Sequence, residues 1–324
     1  MTLLTRRSLL ILSAGLAAAA AVRAEWLPNK RIEIIVPFAP GGVVDVLARV
    51  LTEPMSRELG QPVIVKNVVG AGGNIAYGQL ARAKADGYTV GLIGSGLNLN
   101  SLLRPGSGFD TPNILRPLGY LGSQAFALLV NTARFDVRTV REAIDRIRKE
   151  PGKLAYASGG IGASSHVLME YLKSTQDLKV LHVPYNGQAP AITATLAGDV
   201  DMTLQPVTGS EDLIRAGKLR PLACTGTARM KLFPNVPTFS EASIHGMEAS
   251  GWLGLAAPAS VPEPLARRLI DAWARSVARP EVQQALDAKS VDTLTMNDRE
   301  FARMVADDRQ RWKRVIEIAK VSVE

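Results

Sequence analysis

Three glycine-rich loops carry the residue types that could do chemistry in this chain. They are Ala39-Pro40-Gly41-Gly42-Val43-Val44-Asp45, Gly70-Ala71-Gly72-Gly73-Asn74 and Ser158-Gly159-Gly160-Ile161-Gly162-Ala163-Ser164-Ser165-His166. Each follows an apolar, strand-like run and precedes a helix-like one. Glycine lets the backbone approach a ligand closely, and the first N–H groups of a helix have no partner within it. With the helix dipole behind them, such groups hold an anion without a basic side chain. The chemistry expected is non-covalent capture of a small anion in the cleft of an α/β protein.

The candidate residues follow from this logic. Phe38 ends the first strand, Gly41 and Gly42 allow close approach, and the N–H groups of Val43 and Val44 are candidate carboxylate donors. Asp45 falls in the first helical turn, where it complements the dipole. It could receive a ligand ammonium or orient Asn74, but a bare carboxylate beside an anion is repulsive, so a structural role is preferred. Gly72, Gly73 and Asn74 form a second wall, with Asn74 either capping its helix or touching ligand. Ser95 and Gly96 follow a further strand and offer a hydroxyl and an N–H. In the later half, Ser158, Gly162, Ala163 and Ser164 shape another helix start, and Tyr185, Asn186 and Gly187 follow another strand. Gln205 ends a third strand with an amide that both donates and accepts. His166 is placed to order its loop rather than to act as a base. On this reading a proline at Gly42 or Ala163 removes a donor and weakens binding, while charge changes at Lys66 and Lys84 matter little.

Catalytic signatures are missing from the sequence. Its histidines are His166, His182 and His245, none in a metal-ligand spacing, and no Gly-x-Ser-x-Gly elbow or P-loop lysine occurs. Residues 160–165 lack the final glycine of a dinucleotide fingerprint. No cofactor and no metal are expected. The net charge of +8 is spread along the chain without a basic run interleaved with aromatics, which argues against nucleic-acid binding. The single Cys224 excludes an internal disulfide and, lying in an apolar run, reads as a buried structural thiol.

These loops need elements to hold them. Strand-like runs at residues 32–38, 63–67, 88–94, 154–158, 180–184, 200–204 and 219–224 alternate with helical patterns, which predicts parallel sheets covered by helices on both faces. Thr139 and Glu142 form a capping-box pattern, as do Asn297 and Glu300 ahead of a helix with an apolar face from Phe301 to Ala319. At the N-terminus Arg6 and Arg7 precede an apolar stretch that ends at Val22-Arg23-Ala24. This is the pattern of a signal peptide, residues 1–24, of general or twin-arginine type, and of an exported, periplasmic protein. Its removal takes away Arg6, Arg7 and Arg23 and no acid, leaving an excess of +5.

The chain resembles the Bug family of extracytoplasmic solute-binding receptors, associated with tripartite tricarboxylate transporters. The residues that carry the resemblance are Ile35-Val36-Pro37-Phe38-Ala39-Pro40-Gly41-Gly42 with Asp45, Leu59-Gly60-Gln61-Pro62-Val63, Gly70-Ala71-Gly72-Gly73-Asn74 and Ala85-Asp86-Gly87-Tyr88-Thr89. Ser164-Ser165-His166, His182-Val183-Pro184-Tyr185 and Pro234-Asn235-Val236-Pro237-Thr238 follow in order. The resemblance implies a type II-like periplasmic binding protein with parallel-rich sheets. One domain would take residues 25–124 plus 250–324 and the other residues 125–249, with crossovers near residues 122–127 and 249–255. A small organic acid or amino acid would sit between the domains, which close on it like a Venus flytrap. The protein would act as a monomer and hand its ligand to integral-membrane transporter subunits or to a sensor kinase. Val43, Val44, Gln205-Pro206 and Leu97-Asn98-Leu99-Asn100 depart from the commoner family pattern, and the apolar side chains of Val43 and Val44 point to a ligand with a carboxylate head and a less polar body. The alternatives are an exported hydrolase-like enzyme, which needs a nucleophile–base pair in the cleft, and a ligand-presenting partner of a membrane sensor.

Overall fold

The computed structural model describes residues 26–104 and 114–321, so the signal peptide expected at 1–24 lies outside the described residues. Apolar runs and glycine turns set the first half. Strand β1 (Ile32–Val36) turns at Pro-Gly-Gly into α1 (Val43–Leu59), and β2 (Val63–Asn67) passes through a 3-10 turn into α2 (Asn74–Ala81). Strand β3 (Thr89–Gly94) runs directly into α3 (Ser95–Leu103). The chain continues through β4 (Leu115–Gln124), β5 (Ala127–Asn131), α4 (Val140–Lys149), β6 (Ala155–Ser158), α5 (Ser164–Gln176), β7 (Leu181–Pro184) and α6 (Gln188–Ala197). Then come β8 (Met202–Gln205), α7 (Glu211–Arg215), β9 (Leu219–Cys224), β10 (Gly251–Pro258), α8 (Glu263–Val277), α9 (Pro280–Asp287) and α10 (Asp298–Ala319).

Two five-stranded sheets result, ordered β2-β1-β3-β10-β4 and β7-β6-β8-β5-β9. Each has a parallel trio: β1 between β2 and β3, and β6 between β7 and β8. The sheets are mixed, because the remaining strands pair antiparallel. Strand β10 runs antiparallel to β3 and β4, and β5 antiparallel to β8 and β9. The β4–β5 and β9–β10 connections each pass from one sheet to the other, so these strands are not joined by helical crossovers that would force parallel pairing.

Helix ends follow local chemistry. Asn297 and Glu300 form the full capping box of α10. At α4 the box is only half made: Thr139 accepts from Glu142 N, but Glu142 reaches back one residue further, to Arg138 N. Cys224 is fully buried in an apolar cluster, as its sequence context predicts.

Helix α10 spans about 33 Å at the usual rise per residue. Phe301 and Val305 pack in a core with Ile35, Tyr77 and Trp252 of the first sheet's lobe. Trp312, Val315 and Ala319 pack with Tyr171 and Leu172 of the second. Between the two stripes Asp308 is buried and accepts from Asn98 Nδ2 at 2.9 Å. Burial raises its carboxyl to about 6. Among the described residues no helix is long and apolar enough to cross a membrane.

Candidate functional site

The C-terminal ends of β1, β3, β6 and β8 face one cleft between the sheets, of about 850 Å³ with its open mouth included. Loops at such strand ends build ligand sites in open α/β sheets. Four helices begin on this cleft: α1 at Gly42-Val43-Val44, α3 at Gly94-Ser95-Gly96, α5 at Ala163-Ser164-Ser165 and α6 at Gly187-Gln188. Their N-cap residues are Gly42, Gly94, Ala163 and Gly187, and none supplies a side-chain cap. Glycine and alanine carry no oxygen that could do so, which leaves the first-turn N–H groups to other partners. Among the described residues no Lys, Arg, His, Asp or Glu lines the cleft.

Protein groups already fill part of it. Val43 N donates to Gln188 Oε1 at 3.3 Å across the cleft, and Gln188 Nε2 donates to Pro206 O and Thr208 O at 2.6 and 2.9 Å. The hydroxyls of Ser95 and Ser164, also from opposite sides, lie 2.9 Å apart. Among the described residues the N–H groups of Val44, Gly96 and Ser165 have no acceptor. Gln205 Nε2 is buried without a partner on the cleft wall.

Val44 N, a donor expected from the sequence, is free, but the proline sites expected to remove donors do not carry them. Gly42 (φ −74°) and Ala163 (φ −69°) have backbone angles that proline adopts, and their own N–H groups turn inward to Ala39 O and Gly160 O. The proline test expected from the sequence is therefore corrected: the free donors belong to Val44 and Ser165.

The predicted residues fall into three groups. Phe38, Gly42, Val43, Val44, Ser95, Gly96, Ala163, Ser164, Gly187 and Gln205 line the cleft. Gly73, Tyr185 and Asn186 lie on a hollow at its rim, where the 70–73 and 159–161 loops meet. Gly41, Asp45, Asn74, Ser158, Gly162 and His166 line neither. Asp45 is fully engaged: it receives Gly41 N, Asn67 Nδ2 and two guanidinium bonds from Arg49, all at 3.0 Å. Burial pushes its carboxyl up, but these donors outweigh that and hold it below the usual range. Its role is to clamp the Pro-Gly-Gly turn, and Asn74 is not among its partners. Asn74 does not cap its helix, and its Oδ1 is buried without a partner.

Sequence reasoning missed Tyr77, Gln124, Phe126, Gln188 and Val291, all on the cleft. No local signal marks them, although Gln188 at a helix start after Gly187 is a polar residue of the kind singled out elsewhere. Gln124 is tied to Thr208 Oγ1 and Lys289 O.

Beneath the α5 start lies a stack of rings. His166 and His182 are 4.2 Å apart between centroids, and His182 and Tyr156 4.8 Å. His166 Nδ1 accepts Gly162 N at 3.2 Å and so orders its loop, as expected. Ser158 Oγ lies 2.6 Å from His182 Nε2. Glu170 receives Tyr156 OH and Lys173 Nζ beside the stack. Burial, then the neighbouring His166, lowers His182 to about 4, and burial also lowers His166. Between pH 6.5 and 4 the unfolded chain then holds more protons than the folded one, so these imidazoles lose stability as pH falls. Asp308 acts oppositely, since its raised carboxyl gains stability on protonation in the same range. The imidazole effect is isolated by difference: from pH 7 to 4, unfolding free energy should fall about 2 kcal/mol further in the unsubstituted protein than in His182→Gln. Urea titrations at both pH values check this, and parallel losses would rule it out.

A family model described as tripartite tricarboxylate transporter family receptor (TctC) matches residues 47–321. Protein BugT of Bordetella pertussis is 31% identical, with 94% of each chain covered. The solved periplasmic binding protein BugD superposes with a TM-score of 0.87 at 29% identity, covering 91% of this chain and 99% of its own. An R. palustris protein solved with adipate has a TM-score of 0.86 at 28% identity, with 91% and 99% covered.

Proposed function

Since this chain belongs to the tripartite tricarboxylate transporter receptor (TctC) family, we propose that it is an extracytoplasmic receptor that captures a small carboxylate-bearing solute in the cleft between its two lobes. One observation carries this reading: four helix starts without side-chain caps converge on a cleft that, among the described residues, has no charged side chain. A carboxylate there would be met by N–H groups and helix dipoles, each charge-assisted bond contributing about 1.5–3 kcal/mol. The adipate in a structural neighbour fits the same ligand chemistry.

The lobes would be residues 25–124 plus 250–324 and residues 125–249, with α10 reaching across both. Because the donors come from both sides, they are satisfied together only when the lobes meet, and ligand shifts the balance toward that form. The protein would be exported through residues 1–24 and would deliver its ligand to membrane transporter subunits.

Binding without turnover is part of the proposal. The Ser158–His182 pair is the sort of arrangement a hydrolase uses. Ser158 is fully enclosed, however, and its hydroxyl is shared with Gly160 N and Gly160 O in its own loop, away from the cleft lining. Mass spectrometry of the acid released from gently purified protein should find one carboxylate, returned unchanged after incubation with the protein. Conversion abolished by Ser158→Ala or His166→Ala would instead favour an enzyme.

A further inference from the structure

We propose that the captured acid is a monocarboxylate whose body is an apolar ring, an inference that rests on the carboxylate-capture reading above. The unused donors of the cleft are backbone N–H groups gathered at its helix starts, and the wall beyond them is apolar. Among the described residues Val44 N, Ser95 N, Gly96 N, Ser164 N and Ser165 N are unused, whereas Val43 N is taken by Gln188 Oε1. The amide nitrogen of Gln188 is committed to Pro206 O and Thr208 O, and the hydroxyls of Ser95 and Ser164 are paired with each other. Gln124 is likewise spent on Thr208 and Lys289.

The rest of the wall is apolar. Phe38 and Phe126 face the cleft from the two lobes, joined by Val43, Pro206 and Val291. A second ionised carboxylate among these side chains would give up its water with no cation to meet it, and an unpaired buried charge is strongly disfavoured. A ring carries no such penalty, releases ordered water on burial and meets aromatic neighbours edge-on or offset. Two neutral donors remain beside this wall. Gln205 Nε2 is buried with only 3% of its residue exposed and lacks a partner. Tyr77 brings a phenol hydroxyl to the same cleft. Both suit a neutral acceptor on the ring, such as a hydroxyl or keto oxygen, or the carboxylate itself.

Calorimetry on the mature protein, freed of bound solute by dialysis, tests the proposal with four probes: benzoate, cyclohexanecarboxylate, adipate and malate. The ring acids are expected to bind at least tenfold more tightly than either dicarboxylate. Adipate or malate binding as tightly as the ring acids, or more so, overturns the ring proposal and leaves carboxylate capture standing. If a folded sample binds none of the four, carboxylate capture falls as well.

Discussion

Replacing Trp312 with alanine is expected to cost about 3–5 kcal/mol of unfolding free energy, the range for emptying a large enclosed aromatic site. Trp312 is fully buried and sits two-thirds of the way along α10, in the core with Tyr171 and Leu172. The same helix is anchored at its other end by Phe301, also fully buried, against Trp252 and Tyr120 of the other lobe. The indole thus fastens one end of a strap that ties the two sheets together. Urea unfolding followed by far-UV circular dichroism measures the loss. A change below about 1 kcal/mol, the level of a surface substitution, would mean that α10 does not hold the second lobe.

Val44→Pro should weaken binding of the released ligand by about 10- to 150-fold, the equivalent of one charge-assisted hydrogen bond. Proline in a first helical turn removes an N–H that has no intrahelical partner, so α1 itself should persist. Val44→Ala separates side chain from backbone and should cost far less. Gly42→Pro is the second control, because that backbone already has a proline-like φ of −74° and its N–H is turned to Ala39 O. Lys66→Gln should leave affinity unchanged, since that side chain is half-exposed and pairs with Glu33 at 3.6 Å. Calorimetry on variants with native circular dichroism decides the matter. Equal affinity for Val44→Pro and the unsubstituted protein would remove the α1 start from the anion site.

Much of this was legible in the residues alone, because it depends on short-range rules. The runs at 32–38 and 88–94 alternate into helices through glycine, and a strand followed by a helix start needs only neighbouring side chains to be recognised. The N-caps Gly42, Gly94, Ala163 and Gly187 lack capping oxygens whatever the fold around them. Asn297 with Glu300 was readable for the same reason, and so was the loop-ordering part of His166, which acts four residues away on Gly162. Loops at strand ends, cation-poor and rich in glycine, were enough to name the chemistry of the cleft.

Other features are set by pairs far apart in the chain. Val43 and Gln188 are 145 residues apart, Ser95 and Ser164 69 apart, and Ser158 and His182 24 apart. No periodicity encodes such pairs, because they depend on how two sheets and their helices pack. The same holds for the antiparallel strands β5 and β10, whose direction is fixed by chain that changes sheets rather than by their own apolar residues. Asp45 shows the division within one side chain. Its place in a first turn and its dipole role follow from sequence and its partner Arg49 lies one helical turn on, but Asn67 reaches it only when β2 lies beside β1. The sequence by itself determined which backbone donors exist and left them uncapped. The tertiary structure decided which remain free, because side chains from the opposite lobe, such as Gln188, occupy some of them first.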